Sequence, residues 1–401
     1  MKKGKLAIDP KKYSTVFCGA VLASILVWLI LSLIMGKELW TSVFFRHTTD
    51  AFMDFFNSVR DASLGEGAYT ERHVIYPPMA NLLFMLASKI TPDAYNGTSF
   101  EERRSWSEYP QNVALIVAVT AVCAILLLLI LRLSLRMRGI RAWGIAAVAF
   151  LGIPCLNMLE RGNIMILSLV GVMVYALTYY SENKWLRELG LLALAFSFSL
   201  KLYPLLFAWI LLGDKRYGDF LRCFLYSAVL LILPSFCFGG PRCLLYIVEN
   251  ILFFSSGEKS ALAMMALYSG IPQRIVSLMA YAWFAVCALA FAVTPFVHRE
   301  DWKKWTVGCV VFLVFPSLTS IYAWALFLIP LLMLFDREEQ GKRNLAYFIP
   351  MALPFLFVPI LTPVPVTANT FLAYVCLAAL SWWTVLDTAR MTVRYLRERS
   401  K

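Results

Sequence analysis

Six runs of mostly apolar residues, each 17 to 24 residues long, recur along this chain of 401 residues. About 20 apolar residues in an α-helix cross the hydrocarbon core of a bilayer, which is about 30 Å thick. Because 60% of the residues are hydrophobic, the sequence predicts an all-α, polytopic membrane protein rather than a soluble one. The six runs are 15–36, 111–134, 223–239, 275–297, 345–361 and 371–388.

Three further apolar regions, 143–180, 189–213 and 306–335, are too long or too interrupted to be one simple helix each. If each folds as a hairpin, the chain forms a bundle of about 12 helices with both termini on one side. The segments on that side then hold 25 Lys and Arg against 12 Asp and Glu, and the other side holds 12 against 13. The positive-inside rule therefore favours the hairpins and places both termini in the cytoplasm.

The net charge of +12 is expected to report this orientation in the cell membrane, and no nucleic-acid partner is predicted. The predicted organisation is a single membrane domain over residues 1–401. It comprises a first span at 15–36, an extracytoplasmic loop with amphipathic helices at 37–110, the remaining spans at 111–388, and a basic cytoplasmic tail at 389–401.

The hairpin arms are short, and polar residues stand where they turn. A helical arm of about 12 residues rises about 18 Å, so a hairpin that starts at the inner surface turns below the outer one. Backbone turns at that depth must be buried in protein or line a wet cavity. The sequence therefore predicts a cavity that opens to the outside and is floored by 160–163, 201–204 and 317–322.

Lys201 is the one charged residue within 189–213, and Pro204 follows it closely. A lone ammonium at bilayer depth costs several kcal/mol, which makes such a lysine a functional-site candidate. Arg161 is the second cation of the predicted cavity floor. Two alternatives stay open, namely that these side chains snorkel to the outer surface or that Arg161 pairs with Glu160.

The segment 37–110 is too long to be an idle connection in a compact bundle. Its first part predicts an amphipathic helix that is capped by Thr48 or Thr49 and runs through Asp61. A solvated helix face is the alternative, but carboxylates above a cavity with two cations favour a site. The polar residues on one face of this helix, at spacing i, i+4, i+7 and i+11, are Asp50, Asp54, Asn57 and Asp61.

Tyr76-Pro77-Pro78 follows and leads into 79–90, a short apolar stretch that predicts an interfacial helix rather than a span. His47 and His73 share this loop and could bind a metal ion together with a carboxylate, but two histidines 26 residues apart are a weak signal of a metal site. No metal site is predicted.

Four motifs together resemble a known enzyme family. They are Asp54-Phe55-Phe56-Asn57, Tyr76-Pro77-Pro78, Arg161-Gly162-Asn163 and Lys201-Leu202-Tyr203-Pro204-Leu205-Leu206. The set looks like a membrane glycosyltransferase of the GT-C fold and most resembles glycosyltransferase family 87, the polyprenol-phosphate-mannose-dependent α-mannosyltransferases. The resemblance covers about residues 15–335. In one departure, the late Trp- and His-bearing motif of that family corresponds here to Ser320-Ile321-Tyr322-Ala323-Trp324, which has no histidine.

The resemblance implies transfer of mannose, or another hexose or pentose, from a polyprenyl-phosphate donor to an extracytoplasmic glycan or glycolipid acceptor. The family's catalytic aspartate maps best onto Asp54, with Asp50 as the competitor. Direct attack, with this residue as general base, would invert the anomeric centre. Lys201 and Arg161 are expected to bind the donor phosphate, because fixed cations stabilise the charge that develops there. The residues expected to bind substrate are Asn57, Tyr76, Asn163, Tyr203 and Tyr322.

No cofactor is expected, although the sequence leaves a divalent metal open. The chain has no Gly-rich nucleotide motif, as suits a lipid-linked donor used outside the cytosol. Two alternatives from another class are a 12-helix transporter and a flippase for lipid-linked saccharides. A transporter usually shows repeated halves, which this sequence lacks, and a flippase needs no aspartate-bearing helix.

Overall fold

A computed structural model describes residues 11–44, 51–90, 105–256, 267, 269–315, 320–337, 344–362 and 367–400. Within those residues the chain is helical and has no strand, which confirms the predicted all-α class. The α-helices in chain order are α1 (Lys11–Met35), α2 (Lys37–Val43), α3 (Met53–Ser63), α4 (Gly67–Thr70), α5 (Pro78–Ser88), α6 (Pro110–Leu133), α7 (Ile140–Phe150), α8 (Ile153–Arg161), α9 (Met165–Thr178), α10 (Lys184–Leu200), α11 (Trp209–Gly213), α12 (Tyr217–Ser235), α13 (Cys243–Ser256), α14 (Gln273–Val297), α15 (Asp301–Val314), α16 (Leu328–Phe335), α17 (Leu345–Ala352) and α18 (Ala368–Arg399). Short 3-10 segments are Ser105–Glu108, Tyr203–Ala208, Phe236–Phe238, Ile321–Phe327 and Leu353–Phe355.

Five of the described helices, α1, α6, α12, α14 and α18, are long and apolar enough to cross a bilayer. The pair α7 and α8, bent by 59°, is a sixth candidate. Shorter helices occupy the remaining predicted positions, so all twelve predicted helices are present. The run 345–361 was predicted as a full span, but its helical part ends at Phe355 and is too short to cross a bilayer alone. The chain is therefore a polytopic helical membrane protein, as predicted, and α13 is a further helix that the sequence did not predict.

The region 189–213 folds as a hairpin and not as one broken span. α10 runs one way, and the 3-10 segment with α11 returns. Residues at both ends of this hairpin share neighbours, since Arg216 Nη1 donates to Tyr179 O at 2.6 Å and Arg222 lies 3.5 Å from Glu188. Lys201 therefore lies at the turn, at the opposite end of the hairpin from these charges.

α15 and α16 form the second hairpin. Arg337, which follows α16, pairs with Glu300, which precedes α15. Lys304 lies 2.9 Å from Asp214, at the foot of the first hairpin, and Lys303 lies 2.9 Å from Asp387 on α18. These ion pairs gather at one end of the bundle, which we call the charged end. The turn at 316–319 lies outside the described residues.

The region 143–180 breaks twice. The predicted break within 157–163 is confirmed, because α8 ends at Arg161 and Gly162 has a positive φ of 62° before α9 begins. The bend between α7 and α8 is not predicted. It occurs at Gly152, where a Cβ atom would overlap the ring of Phe355. A residue without a side chain is thus required there by packing.

α9 and α10 are antiparallel and pack closely through small residues. A Cβ atom at Gly171 would overlap Ser197 Oγ, and that hydroxyl donates to Ser168 O at 2.8 Å. Small residues let two membrane helices approach in this way. The packing places the turn before α9 beside the turn after α10, and these two turns carry Asn163 and Lys201.

α3 lies across the turn between α8 and α9. Phe52, in the left-handed region with φ 59°, precedes the helix, and its backbone N–H donates to Glu160 O at 2.7 Å. The predicted loop helix is therefore present, but its start was predicted wrongly. The N-cap position is Phe52, and not Thr48 or Thr49, which lie outside the described residues.

α5 begins at Pro78, at a first-turn position where the missing N–H of proline costs nothing, and confirms the helix predicted after Tyr76. It packs against α3 through a buried cluster that also includes side chains of α6 and α10. The cluster thereby fixes α3 on the bundle. Its members include Phe55, Phe56, Phe84, Ile116 and Leu200.

Candidate active site

Asp54, in the first turn of α3, is held by two side chains from the turn between α8 and α9. Arg161 donates to Asp54 Oδ1 from Nε at 3.1 Å and from Nη2 at 2.5 Å. Asn163 Nδ2 donates to Asp54 Oδ2 at 2.7 Å. The pair is partly buried, with 19% of the Asp54 side chain and 29% of the Arg161 side chain exposed. Bonds to ionised groups are the stronger hydrogen bonds in proteins, so the carboxylate is firmly oriented.

Local backbone geometry explains why this carboxylate meets this turn. Gly162 has a positive φ, and a Cβ atom there would lie 2.9 Å from Phe55 Cβ. A glycine therefore meets two requirements at once, the left-handed turn and the close approach of α3. Together with the Phe52 N–H bond to Glu160 O, this contact sets the start of α3 directly against the turn.

Lys201 caps the C-terminal end of α10 in an extended conformation and lies over the ring of Tyr76. Its Nζ is 4.2 Å from the ring centroid, which is a cation–π contact. Among the described residues no carboxylate oxygen lies within 4 Å of this ammonium, although Asp54 is near enough to act on it electrostatically. An aromatic face attracts a cation but does not neutralise it.

Tyr76 stands between Lys201 and the Asp54 carboxylate. Its backbone carbonyl accepts a hydrogen bond from Tyr69 OH at 3.0 Å, and Asn81 Nδ2 donates to that same hydroxyl at 2.8 Å. Its own hydroxyl accepts from Asn163 Nδ2 at 3.4 Å. Burial and then the nearby Asp54 raise the pKa of Tyr76 well above its usual value, so the phenol keeps its proton. The neutral Tyr76 ring therefore separates the Lys201 ammonium from the Asp54 carboxylate.

A cavity of about 820 Å³ opens beside Lys201. Its polar lining comes from Tyr76, Lys201, Ser320 and Tyr322, at the end of the bundle opposite the charged end. We call this the site end. The rest of the wall is apolar and comes mainly from the 3-10 segment Tyr203–Ala208 and from α12, α14 and α15. Its largest apolar side chains are Trp209, Phe220, Phe224, Phe254, Phe284, Phe291, Phe312 and Phe315.

The sequence did not identify this apolar wall. Phe220 and Phe224 are one turn apart on α12, and Phe284, Ala288 and Phe291 follow one face of α14. Such stripes are the available signal. In an apolar span, however, a face that lines a groove has the same composition as a face that contacts lipid.

The predicted site residues divide between two places. Tyr322 lines the cavity and also faces Asp54, Arg161 and Asn163. Tyr203 lines the cavity and stacks on Phe312, while its hydroxyl points to Met165. The two predicted cations therefore have different partners. Arg161 contacts Asp54 and does not line the cavity, whereas Lys201 lines the cavity and lies over the Tyr76 ring.

Of the two remaining predicted site residues, the structure describes Asn57. Asn57 is on α3, one turn after Asp54, and does not line the cavity. Asp50, the competing aspartate, lies outside the described residues.

The described residues contain no group of three His, Cys, Asp or Glu side chains that could hold a metal ion. His73 Nδ1 lies 3.1 Å from Asn250 Oδ1, and the His73 ring stacks on Phe253. His47 lies outside the described residues.

Comparison with known proteins agrees with the predicted resemblance. The model of glycosyltransferase family 87 matches residues 74–317, which include Tyr76, Arg161, Asn163 and Lys201 and leave out Asp54. No curated protein and no solved structure gave a match. The family match covers more than half of the chain, and the protein is therefore a membrane-embedded enzyme that belongs to glycosyltransferase family 87.

Proposed function

We propose that the enzyme transfers a sugar, mannose or another hexose or pentose, from a polyprenyl-phosphate donor to an extracytoplasmic glycan or glycolipid. The observation that carries this proposal is the composition of the 820 Å³ cavity. It has one ammonium and several hydroxyls at one end and an aromatic, aliphatic wall along the rest. A donor with an anionic head and a hydrocarbon tail matches both parts, whereas a sugar nucleotide matches only the first.

The donor phosphate is proposed to bind Lys201. A desolvated ammonium without a counter-ion is unfavourable, and an anion that arrives with a ligand offsets that cost. Lys201 Nζ contacts only the Tyr76 ring face at 4.2 Å among the described aromatic and acidic side chains. It can therefore move to a phosphate oxygen without breaking an ion pair.

The polyprenyl tail is proposed to enter between α12, α13 and α14. Phe224, Phe254 and Phe284 line the cavity there, and Phe224 and Phe254 are also exposed on the outside of the bundle. In a membrane this opening faces lipid. The tail can then reach the groove from the bilayer without crossing water.

Asp54 is proposed to be the general base. The acceptor oxygen attacks the anomeric carbon as its hydroxyl proton passes to the Asp54 carboxylate. The bond between the anomeric carbon and the phosphate oxygen breaks, and its electron pair leaves on the polyprenyl phosphate. Lys201 stabilises the charge that develops there. One direct displacement inverts the anomeric centre.

Arg161 is proposed to hold the Asp54 carboxylate in place, as its two bonds to Oδ1 support. Its role as a second phosphate ligand remains a prediction from the sequence. Substitution of Arg161 separates the two roles. If Arg161 is a phosphate ligand, its loss weakens donor binding. If it is the partner of the Asp54 carboxylate, its loss lowers turnover and leaves donor affinity intact.

The active site is proposed to lie on the extracytoplasmic side, with both termini in the cytoplasm. The excess of Lys and Arg in the segments at the charged end supports this orientation. Labelling of single cysteines introduced at Lys215 or Arg216 tests it, and reaction with a reagent that cannot cross the membrane would reverse the orientation.

The activity is tested with purified protein and radiolabelled short-chain polyprenyl-phosphate sugars, with products separated by thin-layer chromatography. We expect transfer of the sugar from a polyprenyl-phosphate donor and none from the matching sugar nucleotide. Transfer from the nucleotide alone would overturn the proposed donor. Movement of lipid-linked saccharide across liposomes that survives Asp54→Asn would instead favour a transporter or flippase.

A further inference from the structure

Asn163 was expected from the sequence to bind substrate, but its side chain is committed within the protein. Asn163 Oδ1 accepts a hydrogen bond from the Met165 backbone N–H at 2.9 Å. This bond at the start of α9 settles which end of the amide is the oxygen. Nδ2 must then point the other way, towards Asp54 and Tyr76, and 3% of the residue is exposed.

The two oxygens of Asp54 are not equivalent. Oδ1 accepts two hydrogen bonds, both from Arg161, which fill the two lone-pair positions of that oxygen. Among the described residues Oδ2 accepts one bond, from Asn163. A carboxylate oxygen with one partner still has a lone pair available for a proton. Oδ2 is thus the oxygen that can take a proton without first losing a bond to Arg161.

We propose that Asn163 is the positioning residue that holds Asp54 Oδ2 as the proton-accepting atom. The proposal rests on the function assigned to Asp54 above and goes beyond it, because it names the reactive oxygen and gives Asn163 a role other than substrate binding. The same amide contacts the hydroxyl of Tyr76, whose ring carries Lys201. Asn163 therefore sets the distance between the Asp54 carboxylate and the Tyr76 ring, and this ring separates that carboxylate from the proposed phosphate position at Lys201.

Two roles for Asn163 predict different kinetics. A substrate ligand, when removed, raises KM for donor or acceptor. A positioning residue, when removed, lowers kcat and leaves both KM values unchanged. For Asn163→Ala we expect a fall in kcat of about 10- to 100-fold, the scale of one hydrogen bond to a charged group.

Because Asn163 also accepts the first N–H of α9, the alanine variant could fail for structural reasons, and Asn163→Asp removes that ambiguity. The introduced carboxylate still accepts from the Met165 N–H but cannot donate to Asp54 while it is ionised. At lower pH one proton is shared between the two carboxyls, as in paired acidic sites, and the introduced group donates as the amide does. Its deficit in kcat relative to wild type should therefore shrink as the pH falls.

Asn157→Ala is the matched control. Asn157 lies on α8, six residues earlier, and its amide donates to Glu160 Oε2 at 3.3 Å. We expect this variant to keep the kcat, KM and pH profile of wild type. Wild type, these three variants and Asp54→Asn are assayed with the donor that wild type uses, across a range of pH.

The outcomes separate the two levels of the proposal. If Asp54→Asn is inactive but both Asn163 variants keep the wild-type kcat, or if they change only KM, the positioning role is overturned and the base is kept. A constant deficit of Asn163→Asp at all pH values would likewise overturn it. Near-normal turnover of Asp54→Asn would show that Asp54 is not the general base, and the proposed mechanism would then be wrong.

Discussion

Two lysines at opposite ends of the bundle are satisfied differently, and Lys304 is buried whereas Lys201 is half-buried beside the cavity. Lys304, at the charged end, is 5% exposed, and its Nζ lies 2.9 Å from Asp214 and 3.3 Å from Asp301. Lys201, at the site end, lies over the Tyr76 ring and beside a cavity, and no described carboxylate is within 4 Å. The first ammonium is neutralised by the protein, and the second is not.

We infer from this contrast that the charge of Lys304 serves the fold, whereas the charge of Lys201 is the one proposed to bind a ligand. Removing one member of a buried pair leaves an uncompensated charge and is strongly destabilising. Removing an unpaired buried charge relieves a desolvation cost instead. The fold should therefore depend on Lys304, and the reaction should depend on Lys201 and the groups around it.

The largest effect is expected at Asp54, the anion of the site end. Asp54→Asn should lower turnover by about 10²- to 10⁴-fold, the usual contribution of a general base, because an amide cannot take the acceptor proton. The measurement is single-turnover transfer of radiolabelled sugar, with donor affinity measured separately. Asp61→Asn, two turns later on α3, is the control and should keep wild-type turnover. Equal losses in both variants would show that the effect is structural.

A stability measurement tests the expected difference between Lys304 and Lys201. Lys304→Met should lower the free energy of unfolding by about 3 kcal/mol, the low end for a broken buried pair because Asp214 is partly exposed. Lys201→Met should cause little or no loss, since it removes a half-buried charge that has no described carboxylate within 4 Å. Thermal unfolding of both variants in one detergent tests this. The opposite order of stabilities would show that Lys201 is the structural cation.

The apolar part of the cavity can be narrowed without a change at either lysine. Ala288→Phe on α14 should raise the KM for a long-chain donor about tenfold, because the added ring displaces a few methylene groups of the tail. A donor with a single isoprene unit should be affected less. Ala285→Phe, on an exposed face of the same helix, is the matched control. Equal KM values for the two variants would show that the polyprenyl tail does not bind in this cavity.

The smallest effect is expected at the turn that carries Arg161 and Asn163. Gly162→Ala should cost about 1–2 kcal/mol in stability, since φ is 62° and the new Cβ atom would lie 2.9 Å from Phe55 Cβ. Gly144→Ala, in the middle of α7 with open space around it, should be neutral or stabilising. Urea or thermal unfolding compares the two, and equal stabilities would mean that α3 yields without cost.

Much of the site end was predictable, because single residues there violate local rules. Lys201 interrupts an apolar run, Gly162 interrupts a helix, and Tyr76-Pro77-Pro78 cannot continue one. Charge counting then chose hairpins over single spans, and the pairing of Arg216 with residues near α10 agrees. These signals are local or additive, so one sequence carries them.

The partners of each residue were not predictable. Nothing local indicates that Arg161 would contact Asp54 across more than 100 residues, or that Lys201 would lie over the ring of Tyr76. The start of α3 at Phe52 depends on a bond to Glu160, which is also non-local. The apolar groove was invisible for a different reason, since apolar side chains on a membrane helix are equally compatible with lipid, a neighbouring helix or a bound tail.

Binding of a lipid phosphate to Lys201 can be measured by titration with a short-chain polyprenyl phosphate that carries no sugar. Wild type, Lys201→Ala and Lys304→Ala are compared by calorimetry in one detergent, at a temperature where all three are folded. We expect Lys201→Ala to bind about 10- to 100-fold more weakly than wild type, the scale of a charge-assisted hydrogen bond, and Lys304→Ala to bind as wild type does. Equal affinities of wild type and Lys201→Ala would contradict the account.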